Sequence, residues 1–319
     1  MDQERPINMT EQRTRLTLPF ALLIAILAVS TASILIRFAQ TDGAPSLVIA
    51  ALRLSFATLL LAPIAITRHG EEISNLTRRE LTLGLVSGLF LAVHFATWIS
   101  SLEYTTVASS VVFVSTGPLW VALLSPMLLN ERLTRAAIIG LALALLGGTV
   151  IGLSDACTWS GGLQCADLKQ VMQGRAMWGN LLALLGAWAV SGYLIIGRKL
   201  RATRGVSLIP YIFVVYGMAA IGLLAAMFVA GETPFGLPIQ AYVWILLLAA
   251  FPQLIGHSTY NWALRYIPAS FVALTTLVEP IGSAILAYFI LSETPTNGVL
   301  LGGVLILIGI YLASRPNNP

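Results

Sequence analysis

The chain has 319 residues, of which 57% are apolar and 10% charged, and carries a formal net charge of +4; its mean hydropathy is +0.85. That balance lies outside the range of soluble globular domains and assigns the chain to integral membrane proteins. A nucleic-acid partner would need a basic surface domain, which the sequence lacks, so that class is excluded.

The opening segment, "MDQERPINMTEQRTR", is too polar for the core of a signal peptide, so the first apolar span is expected to be retained as a helix. A helical crossing of the hydrocarbon layer takes about 20 mostly apolar residues. Windows of that length predict ten spans, near 18–39, 44–66, 81–101, 105–128, 134–153, 176–197, 208–230, 240–263, 267–291 and 296–313. With the amino terminus inside, the inner segments hold fourteen of the eighteen Lys and Arg residues. The outer loops hold only Lys169 and Arg175, while Arg37 and Arg53 fall within spans. Basic residues accumulate in cytoplasmic loops, so both termini are expected in the cytoplasm.

Cys157 and Cys165 lie in "SDACTWSGGLQCADLKQ", the longest outer loop of this topology. A disulfide closing that loop is expected on an oxidising face, with two free thiols as the alternative. The histidines are His69, His94 and His257, none near the cysteines in sequence, so no metal site and no cofactor are expected.

Shifting the chain against itself by 162 residues aligns "GPLWVALLSPMLLNERLTRAAIIGLALALLGG" with "EPIGSAILAYFILSETPTNGVLLGGVLILIGI". Pro118 meets Pro280 and Glu131 meets Glu293; a shift of 161 aligns "AVSTASILIR" with "AVSGYLIIGR". The fold class expected is therefore all-α and membrane-integral, with ten transmembrane helices written as one five-helix unit twice. Five is odd, so the second copy enters from the opposite side, giving two inverted repeats around a central cavity. The units cover 18–153 and 176–313, joined by an extracytoplasmic loop over 154–175. "VHFATWISSLEYTTVASS" and "GHSTYNWALRYIPAS" fall on the equivalent third and eighth spans, which places a midplane site between them.

Ten helices in two copies, each with a proline followed thirteen residues later by a Glu-containing turn, resemble the drug/metabolite transporter superfamily and its EamA-type repeats. The aromatic-rich third and eighth spans are similar to those of the aromatic amino acid exporter branch. The resemblance implies a bacterial inner-membrane exporter whose cavity is lined mainly by the first, third, fourth, sixth, eighth and ninth helices. The fifth and tenth would be peripheral, and the Gly148-to-Gly152 and Gly298-to-Gly302 spacings suit close helix packing.

Each candidate residue has a structural reading beside the functional one. Gln253, His257 and Asn261 are four apart with Tyr260 beside them, a polar stripe that faces either a cavity or a neighbouring helix. His94 and Trp98 share a face and are expected to form a site wall, the alternative for Trp98 being an interfacial position. Trp188 and Ser191 share a face of the sixth span, where packing is the competing role. Glu279 is the acid deepest in a span: a proton-coupling carboxyl, an anchor for a substrate ammonium, or a structural partner of Arg53. Pro118 and Pro280 kink matching helices and are expected to act as gating hinges.

Imidazoles, Gln253, Asn261 and Ser191 offer donors and acceptors for a zwitterion, and Trp98, Trp188 and Tyr260 offer apolar walls. The expected function is export of aromatic and other neutral amino acids over a broad range by alternating access. Export of cationic drugs or another small metabolite is the alternative. An enzyme is not expected, since the chain has no His-Glu-x-x-His, no neighbouring aspartates and no Gly-x-Ser-x-Gly. A channel lacks its filter-like loop or charged ring. A monomer in the lipid bilayer is expected, a homodimer being the alternative.

Overall fold

The computed structural model describes residues 9–105, 107–131, 133–159, 163–165, 175–291 and 297–314. Helix dominates, as it must where no water is available to satisfy backbone groups. The first half runs α1 (Met9–Ser30), α2 (Ala32–Thr41), α3 (Ser46–Ser74), α4 (Arg78–Tyr104), α5 (Val107–Val114), α6 (Gly117–Leu128) and α7 (Arg135–Ala156). The second half runs α8 (Arg175–Arg198), α9 (Leu208–Val229), α10 (Ile239–Leu248), α11 (Ser258–Ala263), α12 (Ala269–Thr275), α13 (Glu279–Leu291) and α14 (Asn297–Ser314). Among the described residues, seven helical segments are long and apolar enough to cross a membrane, and Gly117–Leu128, Arg135–Gly147 and Leu300–Gly309 are shorter apolar helices. Large apolar side chains such as Phe20, Met127, Val229 and Phe289 point outward and are exposed, as a lipid-facing surface requires.

Local sequence explains the boundaries. α4 starts at a capping box, in which Glu80 N–H donates to Thr77 Oγ1 (3.3 Å) and Thr77 N–H donates back to Glu80 Oε2 (3.0 Å). α2 stops at Gly43, whose φ of +86° suits glycine; Ala44 N–H then reaches Ala39 O, which satisfies an orphan carbonyl.

Each of the expected spans 105–128 and 267–291 contains a break in its α-helical hydrogen bonding: the first is interrupted, and the second stays one helical run, Ala269–Ile290, with a 3-10 turn inside it. α5 ends at Val114 and α6 begins at Gly117; α12 ends at Thr275, a 3-10 turn covers Thr276–Val278, and α13 begins at Glu279. A proline clashes with the carbonyl four residues before it. For Pro118 and Pro280 those carbonyls belong to Val114 and Thr276, where the helices give way. Each proline then sits in the first turn of the following helix, where its missing N–H costs least.

The helix pairings also repeat between the halves. α1 packs on the π-helical stretch Ala249–His257, while α8 packs on α4; the two pairings exchange first with sixth and third with eighth spans. α3 lies against α9, and α7 lies against α14. The last pair approaches closely because glycine allows it: a methyl group added at Gly147 would run into the Gly302 carbonyl oxygen. A short antiparallel hairpin, β1 (Cys157–Trp159) with β2 (Leu163–Cys165), sets the Cys157 backbone opposite Cys165. The cysteine side chains, and with them the expected disulfide, lie outside the described residues.

Candidate functional site

The two helix breaks face one small cavity, lined by residues of both halves. Val114 and Ser115 line it from the first break, and Thr276 and Glu279 from the second. Two positions related by the sequence repeat thus meet at one place, with different chemistry: Gly117 stands where the second copy carries Glu279.

α4 contributes His94 and Trp98 to the wall. Their rings stack 5.8 Å apart at an interplanar angle of 11°. His94 Nδ1 lies 2.9 Å from the Gly186 carbonyl of α8, a contact that fixes the ring's orientation. His257 faces it across the cavity, ring centroids 6.5 Å apart, and Tyr260 follows edge-on to His257 at 6.4 Å. Trp98 Nε1 and the Tyr260 hydroxyl are buried without a hydrogen-bond partner. An amphipathic wall with unused polar handles is what a polar-headed, apolar-bodied solute fits.

Arg53 on α3 is fully buried and also lines the cavity. Its Nε donates to Gln253 Oε1 at 3.1 Å, and its guanidinium carbon lies 4.1 Å from the Phe95 ring centroid. Of the readings open for Glu279, a structural partnership with Arg53 takes no ion-pair form: the ion pairs among the described residues are His69–Glu72, Arg198–Glu131 and Arg204–Glu80. Glu279 instead begins α13 half-buried, against the cavity.

The remaining candidates sit behind this wall or away from it. Gln253 is held by Arg53, and Asn261 donates to His257 O at 2.8 Å and to the Tyr193 hydroxyl. The polar stripe is split in use: His257 lines the cavity, while Gln253 and Asn261 bond Arg53 and Tyr193. Ser191 donates to Gly117 O (2.9 Å) and Ala187 O (2.7 Å), tying α8 to the start of α6. Trp188 is 45% exposed and meets Phe90 edge-on at 5.4 Å. The buried tyrosines of α8 and α9 were not anticipated: Tyr211 pairs with Ser87 (3.0 Å) and Tyr216 with Ser258 (3.1 Å). Tyr193 and Tyr216 thereby fix the helices that carry His257.

A helical bundle with an apolar outer surface and charged groups facing an internal cavity is the plan of a membrane transporter. The chain belongs to the EamA-like transporter family, whose model matches it twice, over residues 17–153 and 177–315. It is similar to the pseudopaline exporter CntI of Pseudomonas aeruginosa, 25% identical over 297 residues that cover 92% of this chain and 95% of that protein. It is also similar to an uncharacterized transporter of Archaeoglobus fulgidus, 22% identical over 297 residues, 92% of this chain and 95% of the relative. A solved crystal structure shares the fold at a TM-score of 0.71 and 20% identity, covering 93% of this chain and 96% of that one.

Proposed function

We propose that this chain is a secondary transporter that exports aromatic and other neutral amino acids, over a broad range, through the cavity between the two helix breaks. The observation that carries the reading is the cavity's composition: two imidazoles, an indole and a phenol wall a space into which one guanidinium and one carboxyl also face. Apolar side chains of varied shape suit the aromatic wall, and the charged groups suit a zwitterionic head. Ten helices in two inverted five-helix repeats, with both termini cytoplasmic in a bacterial inner membrane, complete the reading. The repeated pairing of helices and the distribution of Lys and Arg support it. Alternating access proceeds by rocking at the breaks near Pro118 and Pro280, and no covalent chemistry is involved. The likeness to a protein named as a pseudopaline exporter supports the outward direction.

Counterflow of labelled phenylalanine, methionine and threonine in proteoliposomes tests this. Uptake is expected with wild-type protein and is lost in His257→Ala, with folding verified by size-exclusion profile. Absence of all amino acid movement with folded wild-type protein overturns the reading and favours the cationic-drug alternative, for which the aromatic wall and Glu279 would be the recognition elements.

A further inference from the structure

We propose that Arg53 is the receptor for the carboxylate of the transported solute, with Glu279 receiving its ammonium, so that both charges are required for tight binding. The inference rests on the amino acid reading above and specifies how that site recognises its substrate. Arg53 has no exposed surface, yet Nη1 and Nη2 are both buried without a partner. Of its five N–H donors, only that on Nε is used, by Gln253. An unpaired guanidinium fork is costly in a low-dielectric interior, and its planar geometry matches a carboxylate in two parallel hydrogen bonds. The fixed end of the side chain explains its aim: Gln253 holds Nε while Phe95 supports the guanidinium face at 4.1 Å. That arrangement leaves the Nη side of the fork for the cavity that Arg53 lines.

Glu279 stands on the same cavity and makes no ion pair among the described residues. Two opposite charges that share a cavity without a direct ion pair between them form a complementary pair of poles. A zwitterionic head satisfies both at once. A simple amine leaves the Arg53 fork unpaired, and a simple carboxylic acid leaves Glu279 unpaired. The aromatic groups of Trp98 and Tyr260 then receive the rest of the solute. The positions are not symmetric in sequence: Gly117 replaces Glu279 in the first copy, so the cavity has one acidic pole and the bound solute one orientation.

The test uses the full chain in proteoliposomes, with phenylalanine counterflow competed by four compounds: unlabelled phenylalanine, its methyl ester, phenethylamine and 3-phenylpropionate. Wild type should prefer phenylalanine to the ester and to the amine by at least about 10-fold, the loss expected when a buried charge-assisted hydrogen bond goes unmade. Arg53→Gln should abolish that preference, whereas Arg53→Lys should retain part of it, because a point charge attracts a carboxylate without the fork. In Glu279→Gln the loss should fall on the three compounds that carry an ammonium, phenylalanine, its methyl ester and phenethylamine, and spare 3-phenylpropionate. Direct binding of labelled phenylalanine to detergent-purified Arg53→Gln and Arg53→Lys, checked for monodispersity, separates lost recognition from lost folding. Equal competition by acid, ester and amine in wild type overturns the assignment while leaving an amino acid transporter standing. Absence of any phenylalanine transport by folded wild type overturns the function and the assignment together.

Discussion

The two ends of the helical bundle carry the same sequence device but not the same contacts. At one end Arg198 Nε donates to Glu131 Oε1 at 2.6 Å and Arg198 Nη1 donates to Leu264 O at 2.7 Å. The other Glu131 oxygen accepts from Ala269 N–H at 3.3 Å. At the other end, among the described residues, Arg37, the repeat counterpart of Arg198, donates to Leu102 O, the counterpart of Leu264, at 3.5 Å. Glu293, which the repeat equates with Glu131, lies outside the described residues. The Arg198 end gains further ties between the halves, Ser207 N–H to Glu72 at 2.9 Å and Arg204 to Glu80 at 4.0 Å. The far end has Trp244 Nε1–H donating to Asp42 at 2.9 Å. The carbonyl contact that both ends share is thus tighter at the Arg198 end, 2.7 Å against 3.5 Å. In the alternating-access reading proposed above, that makes the Arg198 end the more tightly tied end of this conformation.

The largest expected effect comes from unfastening the Arg198–Glu131 clasp. Arg198 and Glu131 keep only 18% and 19% of their side-chain surface, so solvent screens the pair less than a surface bridge. Glu131→Gln should weaken the tied conformation by about 1.5–3 kcal/mol, the range for hydrogen bonds to charged groups. Single-cysteine labelling at Ser115, from the Arg198 side, should accelerate accordingly. Arg37→Gln should change that labelling far less, because among the described residues it loses one long hydrogen bond. Equal effects of the two variants would remove the asymmetry from the account.

A second expectation concerns the two helix breaks, which are more alike than the two ends. Pro118→Ala and Pro280→Ala each restore a backbone N–H and remove the clash with the carbonyl four residues earlier. Each should straighten its helix and slow counterflow, with the double variant slowest; the effect should be several-fold, smaller than that of the clasp. Single-turnover transport rates measure it. Wild-type rates in the double variant would show that the breaks shape the cavity without moving.

Much of the site was legible in the sequence because a polar group deep in an apolar span must face protein or water. That rule picked out His94, Trp98, His257, Tyr260, Arg53 and Glu279, and the fold brings all six to one cavity. The same rule cannot separate a cavity wall from a hydrogen-bonded partner behind it. Gln253, Asn261 and Ser191 obey it equally, yet each is occupied by Arg53, Tyr193 or Gly117. Helical periodicity assumed 3.6 residues per turn through Ala249–His257, where the chain winds more widely around Pro252. Ser115 and Thr276 were missed as wall residues. Their signal was present, since both lie within four residues before Pro118 or Pro280, where a proline forces the helix open. Trp188 shows the opposite case: an aromatic residue inside a span is as readily turned outward as inward.

The smallest expected effect lies at the far end. Glu232, in the turn between α9 and α10, has its carboxyl pushed up, first by burial and then by the charge of Glu103. Its Oε2 is buried without a hydrogen-bond partner. An acid whose folded pKa is raised binds more protons folded than unfolded, so its ionised form weakens the fold above that pKa and the penalty fades as pH falls through it. Glu232→Gln should therefore raise the thermal midpoint slightly at neutral pH and leave it unchanged near about pH 4, where the carboxyl is largely protonated in either state. The same substitution at the clasp, Glu131→Gln, should act with the opposite sign at neutral pH, because that carboxylate is engaged by Arg198 and Ala269. Two glutamates at opposite ends, one in an ion pair and one beside a like charge, thus give a signed comparison by differential scanning fluorimetry, and matching signs would show that the difference between the ends does not extend to their acidic groups.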